Sequence, residues 1–234
     1  MTCGATRSAI RARGVTVRVR SRGQDRIVVD AVDLDVAPGE LVGLIGPNGG
    51  GKSTLLLALA GLVAPSSGTI DRTGTIGLVT TEPGLYPLLT GRENLRFFLG
   101  LHGWSPERVD AAIGPALAQL GVTDRDLAQP AGTYSSGTRQ KVSLARALVT
   151  DPAALLLDEP TSNVDPRSAR VLLGAVRARA DAGVAVVLAT HDLHAAEHLC
   201  DRVVALDRAI VGRATLSGPR TVPPPTALEA LVPS

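Results

Sequence analysis

The segment Leu41-Val42-Gly43-Leu44-Ile45-Gly46-Pro47-Asn48-Gly49-Gly50-Gly51-Lys52-Ser53-Thr54 decides how the rest of this chain is read. Gly46 to Ser53 has the spacing G-x-x-x-x-G-K-[ST] of a phosphate-binding loop. The run before it is apolar enough for a buried strand. The run after it, Leu55-Leu56-Leu57-Ala58-Leu59-Ala60, reads as a helix. Strand, glycine-rich turn and helix is the context in which the motif carries meaning. The glycines let backbone N–H groups curl around phosphate oxygens without Cβ clashes. The helix N-terminus behind them favours an anion. Lys52 is placed to reach terminal phosphates, and the Ser53 hydroxyl to ligate Mg²⁺. Gly46, Pro47, Asn48, Gly49, Gly50, Gly51, Lys52, Ser53 and Thr54 are therefore expected to line a nucleotide site.

A second signal lies about a hundred residues on. Leu155-Leu156-Leu157 is an apolar strand that runs into Asp158-Glu159. Ligands of open α/β sheets bind beyond the C-terminal ends of the strands, where these two carboxylates are expected to project. Asp158 suits the acidic partner of Mg²⁺, and Glu159 a group that polarises an attacking water.

Between and around these signals the pattern is α/β. Gly14 to Arg20 alternates Val15, Val17 and Val19 with Thr16, Arg18 and Arg20, as an antiparallel strand with one wet face does. Ser21 to Arg26 is a turn, Ile27 to Val36 resumes the alternation, and Pro38-Gly39 turns into the strand before the phosphate loop. Short strands are expected near Thr69-Ile70 and over Thr75 to Val79. Residues of about 82–150 read as a helical insertion. In it Leu95, Phe98, Leu99 and Leu101 share one face, Trp104 is a core candidate, and Ser105-Pro106-Glu107 opens a further helix. A helix over Pro166 to Asp181, an apolar strand over Val184 to Ala189, a short helix over Asp192 to Leu199 and a last core strand over Arg202 to Leu206 follow. Continuous apolar strands that alternate with helices predict a mostly parallel sheet covered on both faces.

Composition narrows the class. Of the 234 residues 44% are hydrophobic, so a sizeable core is expected and disorder is not. Aromatics are only 2%, which leaves Val, Leu, Ile and Ala to fill that core. The net charge of +2 gives no electrostatic argument for a nucleic-acid partner. With two cysteines, Cys3 and Cys200, the first near a terminus expected to fray, a structural disulfide is not expected and a reducing cytosol fits. No apolar run approaches the ~18–20 residues of a membrane span. A role at a membrane thus requires another chain to provide the span.

Together these residues resemble an ATP-binding-cassette (ABC) transporter ATPase subunit, over about residues 13–213, with residues 1–12 as a flexible start and 214–234 as a Pro-rich tail. The resemblance implies a P-loop NTPase fold with an antiparallel N-terminal β-subdomain and an inserted helical subdomain. Tyr134-Ser135-Ser136-Gly137-Thr138-Arg139-Gln140-Lys141 resembles the family signature usually read Leu-Ser-Gly-Gly-Gln. Ser135 and Gly137 match, whereas Ser136 and Thr138 depart. This form is similar to ATPases that pair with exporter permeases of the ABC-2 class. Ser135, Ser136 and Gly137 are then implied to contact ATP held by a second subunit. Ser162-Asn163-Val164-Asp165 resembles the D-loop, with Asn163-Val164 where Gly-Leu is more usual. His191 resembles the switch histidine at the γ-phosphate.

Two positions depart from the family. Thr81 stands where the Q-loop glutamine is expected, just before Glu82-Pro83-Gly84-Leu85-Tyr86. No aromatic lies near Ser21 to Gln24 to stack on adenine, although Arg22 offers a guanidinium plane. His194 and His198 are spaced i,i+4 beside His191 and Cys200, and read as a solvated helix face ahead of a zinc site. The implied function is an ATP- and Mg²⁺-dependent ATPase subunit at the cytoplasmic face of the membrane. It would close as a homodimer or heterodimer and power a separate permease. Two alternatives stay open: a soluble ABC-type ATPase acting on ribosomes or DNA, and a regulatory, weakly hydrolysing subunit, the latter motivated by Thr81.

Overall fold

The computed structural model describes residues 8–21 and 24–216. In chain order the strands are β1 (Ile10–Ser21), β2 (Gln24–Val36), β3 (Leu41–Ile45), β4 (Ser67–Arg72), β5 (Ile76–Val79), β6 (Ala154–Asp158), β7 (Ala185–Ala189), β8 (Arg202–Asp207) and β9 (Ala209–Thr215). The helices are α1 (Lys52–Ala60), α2 (Gly91–Gly100), α3 (Pro106–Gln119), α4 (Asp124–Leu127), α5 (Ser136–Val149), α6 (Pro166–Asp181) and α7 (Leu193–Leu199). They divide into two compact units. One holds the chain up to Leu78, Ala153–Glu159 and the chain from Arg179 on; the other holds Val79–Pro152 and Pro160–Ala178.

The first unit is built on two sheets. A six-stranded sheet has the order β5-β6-β7-β3-β8-β9. Pairing is parallel from β6 through β7 and β3 to β8, and antiparallel between β8 and β9. Every residue of β3, β6 and β7 is buried, which is why these strands read as unbroken apolar runs. A three-stranded antiparallel sheet has the order β2-β1-β4. Its inward residues, among them Ile10, Val15, Val17, Val29 and Val36, join α1 and the main sheet in one aliphatic core. Arg72 ties β4 to the end of α1 by donating to the carbonyls of Ala58 and Leu59, both at 2.6 Å. Those carbonyls belong to the helix terminus, where the Ala58 carbonyl also accepts from the N–H of the C-cap Gly61 at 3.0 Å.

Two expectations need correction in this unit. Val19 is 43% exposed and does not continue the inward row of Val15 and Val17. Register shifts between Ala12 and Arg18 break the period-two alternation before Val19 is reached. The expected turn from Ser21 to Arg26 is shorter, because β2 already begins at Gln24. Strand β8 is the last core strand, as expected; beyond it Arg208, at φ 62, turns the chain into the edge strand β9, whose half-exposed residues lack an apolar run.

The second unit is helical. Within it α3 packs on α5, and α2 on both. Thr90 caps α2 and Thr123 caps α4, each in a reciprocal capping box; Ser105 caps α3 and is followed by Pro106. Leu95 and Leu99 are buried as expected, but Leu101 is 73% exposed, since α2 has already ended. Trp104 is only half-buried. Its ring lies under the Arg108 guanidinium at 3.8 Å and is not part of the core.

Candidate functional site

The register of the parallel sheet sets the first group of candidates. Leu44 of β3 and Asp158 of β6 are both aligned with Ala189 of β7. The chain leaves β3 for Gly46, β6 for Glu159 and β7 for Thr190-His191 at one edge of the sheet. The phosphate loop, both carboxylates and the histidine are therefore brought together by strand register, although the loop lies more than a hundred residues before the others in sequence.

The loop is shaped by the backbone behind it. Arg208 N–H donates to the Gly50 carbonyl at 2.8 Å, and the Asp30 N–H to the Arg208 carbonyl at 2.8 Å. A Cβ on Gly46 would lie 2.0 Å from the Leu206 carbonyl oxygen, and one on Gly51 would lie 2.5 Å from that of Val28. Both residues also have positive φ, so side chains are excluded twice over. A Cβ on Gly49, by contrast, would meet nothing within 4 Å. The open side of the loop is there.

The residues fit an anionic ligand. Helix α1 starts at Gly51 without a side-chain cap and without an acidic residue in its first turn, so its first N–H groups keep their capacity to bind an anion. The six other helices are each capped by a Ser, Thr or Asp side chain. The buried Lys52 curls its ammonium onto the loop, donating to the Gly46 carbonyl at 2.7 Å and the Pro47 carbonyl at 3.2 Å. Neutral carbonyls do not balance its charge, which a polyphosphate would. Ser53 is exposed at the second position of α1, and Asp158 is buried at the end of β6. A hard cation accepts this all-oxygen pair, as Mg²⁺ does.

Glu159 sits just beyond β6 at φ 48, a conformation that L residues seldom adopt. Its N–H is held by the Ala189 carbonyl at 2.9 Å. The turned backbone aims its carboxylate at His191, with Oε2 2.9 Å from Nδ1. Asp192 caps α7 through the Ala195 N–H, which fixes where the chain goes after the histidine. His198 Nδ1 approaches the His194 carbonyl at 2.9 Å, so on α7 the second imidazole is engaged by backbone. Among the described residues no His, Cys, Asp and Glu group of three could hold a metal ion.

The second unit carries the other candidates. Ser135 caps α5 by accepting from the Thr138 N–H at 3.1 Å. Ser136 donates its hydroxyl to the Asn163 carbonyl at 2.5 Å. Gly137 is buried against the start of α6. A Cβ there would lie 2.7 Å from Ser168 Oγ and 3.1 Å from Asp165 Oδ2. Asp165 accepts from the Ser168 N–H at 2.9 Å, and that bond holds its carboxyl below the usual carboxylate range. Thr81 is exposed, and its carbonyl accepts from Gln140 Nε2 at 2.9 Å. Thr81, Ser136, Gln140 and Asn163 all line one cavity of about 590 Å³. Arg22 lies outside the described residues.

Sequence reasoning passed over the residues that hold these loops. Gln140 is buried and braces the Thr80-Thr81 turn. Arg146 donates to the Pro83 carbonyl at 3.1 Å and lies over the Phe98 ring at 4.3 Å; burial lowers its pKa. Asn94 is fully buried, accepting from Tyr86 N–H and donating to the carbonyls of Tyr86, Leu89 and Thr90. The signal was present as polar residues on an otherwise apolar helix face.

Comparison with known proteins defines the class. The family model described as ABC transporter matches residues 29–162, more than half of the chain. The chain belongs to the ABC transporter ATP-binding family.

Among its relatives, the Nod factor export ATP-binding protein I of Burkholderia orbicola (strain AU 1054) is 35% identical over 201 residues, 81% of this chain and 66% of the relative. An ABC transporter ATP-binding protein of Bacillus subtilis (strain 168), named YdbJ, is 34% identical over 194 residues, 77% of this chain and 62% of the relative. The chain thus spans a little under two thirds of the length of both. A dimeric structure of a bacterial ABC transporter cassette superposes with a TM-score of 0.80 at 27% identity, covering 89% of this chain and 99% of the other. The fold is that of the ABC cassettes: α/β, a mostly parallel core sheet, an antiparallel N-terminal sheet and helices. Among the described residues no helix is long and apolar enough to cross a membrane.

Proposed function

We propose that this chain is the ATP-binding and ATP-hydrolysing subunit of an ABC transporter, and that it drives movement of a substrate, in the export direction, through a separate permease of the ABC-2 class. The cassette spans residues 13–213. The observation that carries the reading is the shared sheet edge, where Asp158, Glu159 and His191 stand in register with the phosphate loop. Kinship with Nod factor export proteins supports the export direction.

Each residue has a task that follows from its chemistry. The loop from Gly46 to Thr54 wraps the phosphates with N–H groups, and Lys52 exchanges its carbonyl partners for phosphate oxygens. Ser53 and Asp158 would hold Mg²⁺, whose charge offsets that of the phosphates. Glu159 accepts a proton from the attacking water, and His191 orients toward the γ-phosphate. Ser135 and Gly137 sit at the N-terminus of α5 and present partial positive charge to the nucleotide of a second subunit. ATP bound by both surfaces favours the closed dimer by differential affinity, and loss of the γ-phosphate reopens it. The exposed aromatic cluster of Tyr86 and Phe97 beside Phe98 supports permease contact at this end of the second unit. A membrane-embedded partner places the chain at the cytoplasmic face.

Equilibrium binding of a fluorescent ATP analogue to the purified chain tests the core of this reading. Lys52→Ala should weaken binding at least tenfold, since a buried charge-assisted contact is lost. Unchanged affinity would refute the phosphate-loop assignment.

A further inference from the structure

Two positions that depart from the family pattern meet in the structure. Ser136 replaces a glycine of the usual signature, and Asn163 replaces a glycine of the usual D-loop. They are 27 residues apart, and the Ser136 hydroxyl donates to the Asn163 carbonyl at 2.5 Å. A glycine at 136 has no such donor. Asn163 stands at φ 58, in the left-handed region that asparagine tolerates better than most side chains. Its carbonyl is thereby turned toward the first residue of α5.

The next residues reinforce the contact. Gly137 follows directly, and its Cα face has no room for a methyl group against Ser168 and Asp165. Asp165 closes the start of α6 through the Ser168 N–H. Thus the first turn of α5 meets the segment before α6 through one hydrogen bond and the start of α6 through one glycine contact, all within the second unit. The Ser136 hydroxyl proton is directed at a backbone carbonyl of its own subunit.

We infer that Ser136 is a positioning residue: it locks the segment 162–165 to the N-terminus of α5, so that the signature and the D-loop engage a second subunit as one body. This rests on the proposed reading that Ser135 and Gly137 face the nucleotide of that subunit. Without the Ser136 hydroxyl the Asn163 carbonyl would lose this donor, and the Gly137 contact would remain. Here a side-chain hydrogen bond adds a specific restraint that the closed dimer does not have to impose at its own expense.

The test has two arms on the full chain. The first is hydrogen exchange of the nucleotide-free protein. Ser136→Ala should speed exchange over residues 162–168 about three- to tenfold, the range expected from one hydrogen bond, and Ser136→Thr should restore protection. This arm needs neither ATP nor a partner. Unchanged exchange in Ser136→Ala overturns the lock, and so does a threonine variant that exchanges as fast as the alanine variant. The second arm measures ATP-driven dimerisation by sedimentation in a Glu159→Gln background. Ser136→Ala should weaken dimerisation about fivefold while the affinity of the monomer for an ATP analogue stays unchanged. Equal dimerisation overturns the functional part of the inference. Ser135→Asp serves as the separate check of the underlying reading: at this exposed position it keeps a capping oxygen and adds a negative charge at the α5 N-terminus, which should abolish dimerisation; if it does not, the face assigned to the second subunit is wrong whatever Ser136 does.

Discussion

Glu159 Oε2 and His191 Nδ1 lie 2.9 Å apart, and they join two strand ends that are 32 residues apart in the chain. The carboxylate is mostly buried, at 15% exposure, whereas the imidazole is 65% exposed. With Glu159 ionised, Nδ1 carries the proton, and Nε2 donates only from the imidazolium. With Glu159 protonated, the carboxyl O–H donates to Nδ1, and a neutral ring presents Nε2–H. Which nitrogen of His191 bears the proton is therefore tied to whether Glu159 is ionised or protonated.

Glu159→Gln removes the base and keeps the size of the side chain. ATP binding should persist and turnover should fall by about 10²–10⁴-fold, the usual contribution of a general base. A dimer should accumulate with ATP. Sedimentation and phosphate release read the two outcomes; a variant that still turns over at the parent rate would place the base elsewhere.

Thr81→Gln introduces the side chain usual for the family at an exposed position whose carbonyl is already held by Gln140. Nothing buried has to move to accept it. The number of ATP molecules hydrolysed per substrate moved should change, while the affinity for ATP should not. Reconstitution with the permease in vesicles gives that ratio, and a constant ratio would remove Thr81 from coupling.

Arg146→Ala should destabilise the protein by about 1–3 kcal/mol, because it leaves the Pro83 carbonyl without its charged donor and strips the Phe98 face. Chemical denaturation measures the loss. A midpoint that stays in place would mean that the loop at residues 80–86 is held by Gln140 and Asn94 alone.

Asp165→Asn retains a side-chain oxygen for the α6 cap and loses the charge. The folded-state pKa of Asp165 is lowered by its bond from the Ser168 N–H. Its ionised form therefore stabilises the fold fully above the unfolded carboxylate pKa, at about pH 4. That contribution is lost as pH falls through the lowered folded value. Thermal melts of parent and variant should differ at pH 7 and converge toward pH 3. Parallel curves over that range would contradict the assignment.

Much of the cassette is legible in the chain because it depends on local rules. A phosphate loop needs glycines at positions where Cβ atoms collide with Leu206 and Val28 carbonyls, so Gly46 and Gly51 announce it. Buried parallel strands need unbroken apolar runs, so β3, β6 and β7 stand out. Helix starts need caps, so α2, α3, α5 and α7 begin where Thr90, Ser105, Ser135 and Asp192 place them. Strand β9 escaped because an edge strand with one wet face carries little apolar pattern. Val19 misled because a bulge costs no residue type that a reader can see.

Local patterns in the chain point to a phosphate site at the head of α1 and put Asp158, Glu159 and His191 at the ends of core strands. Composition, spacing and backbone sterics suffice for that. Which of these residues touch is set by the folded chain. The alignment of Leu44 and Asp158 on Ala189, the Glu159–His191 contact and the Ser136–Asn163 hydrogen bond join segments through register and packing, and no local preference encodes a partner that far along the chain.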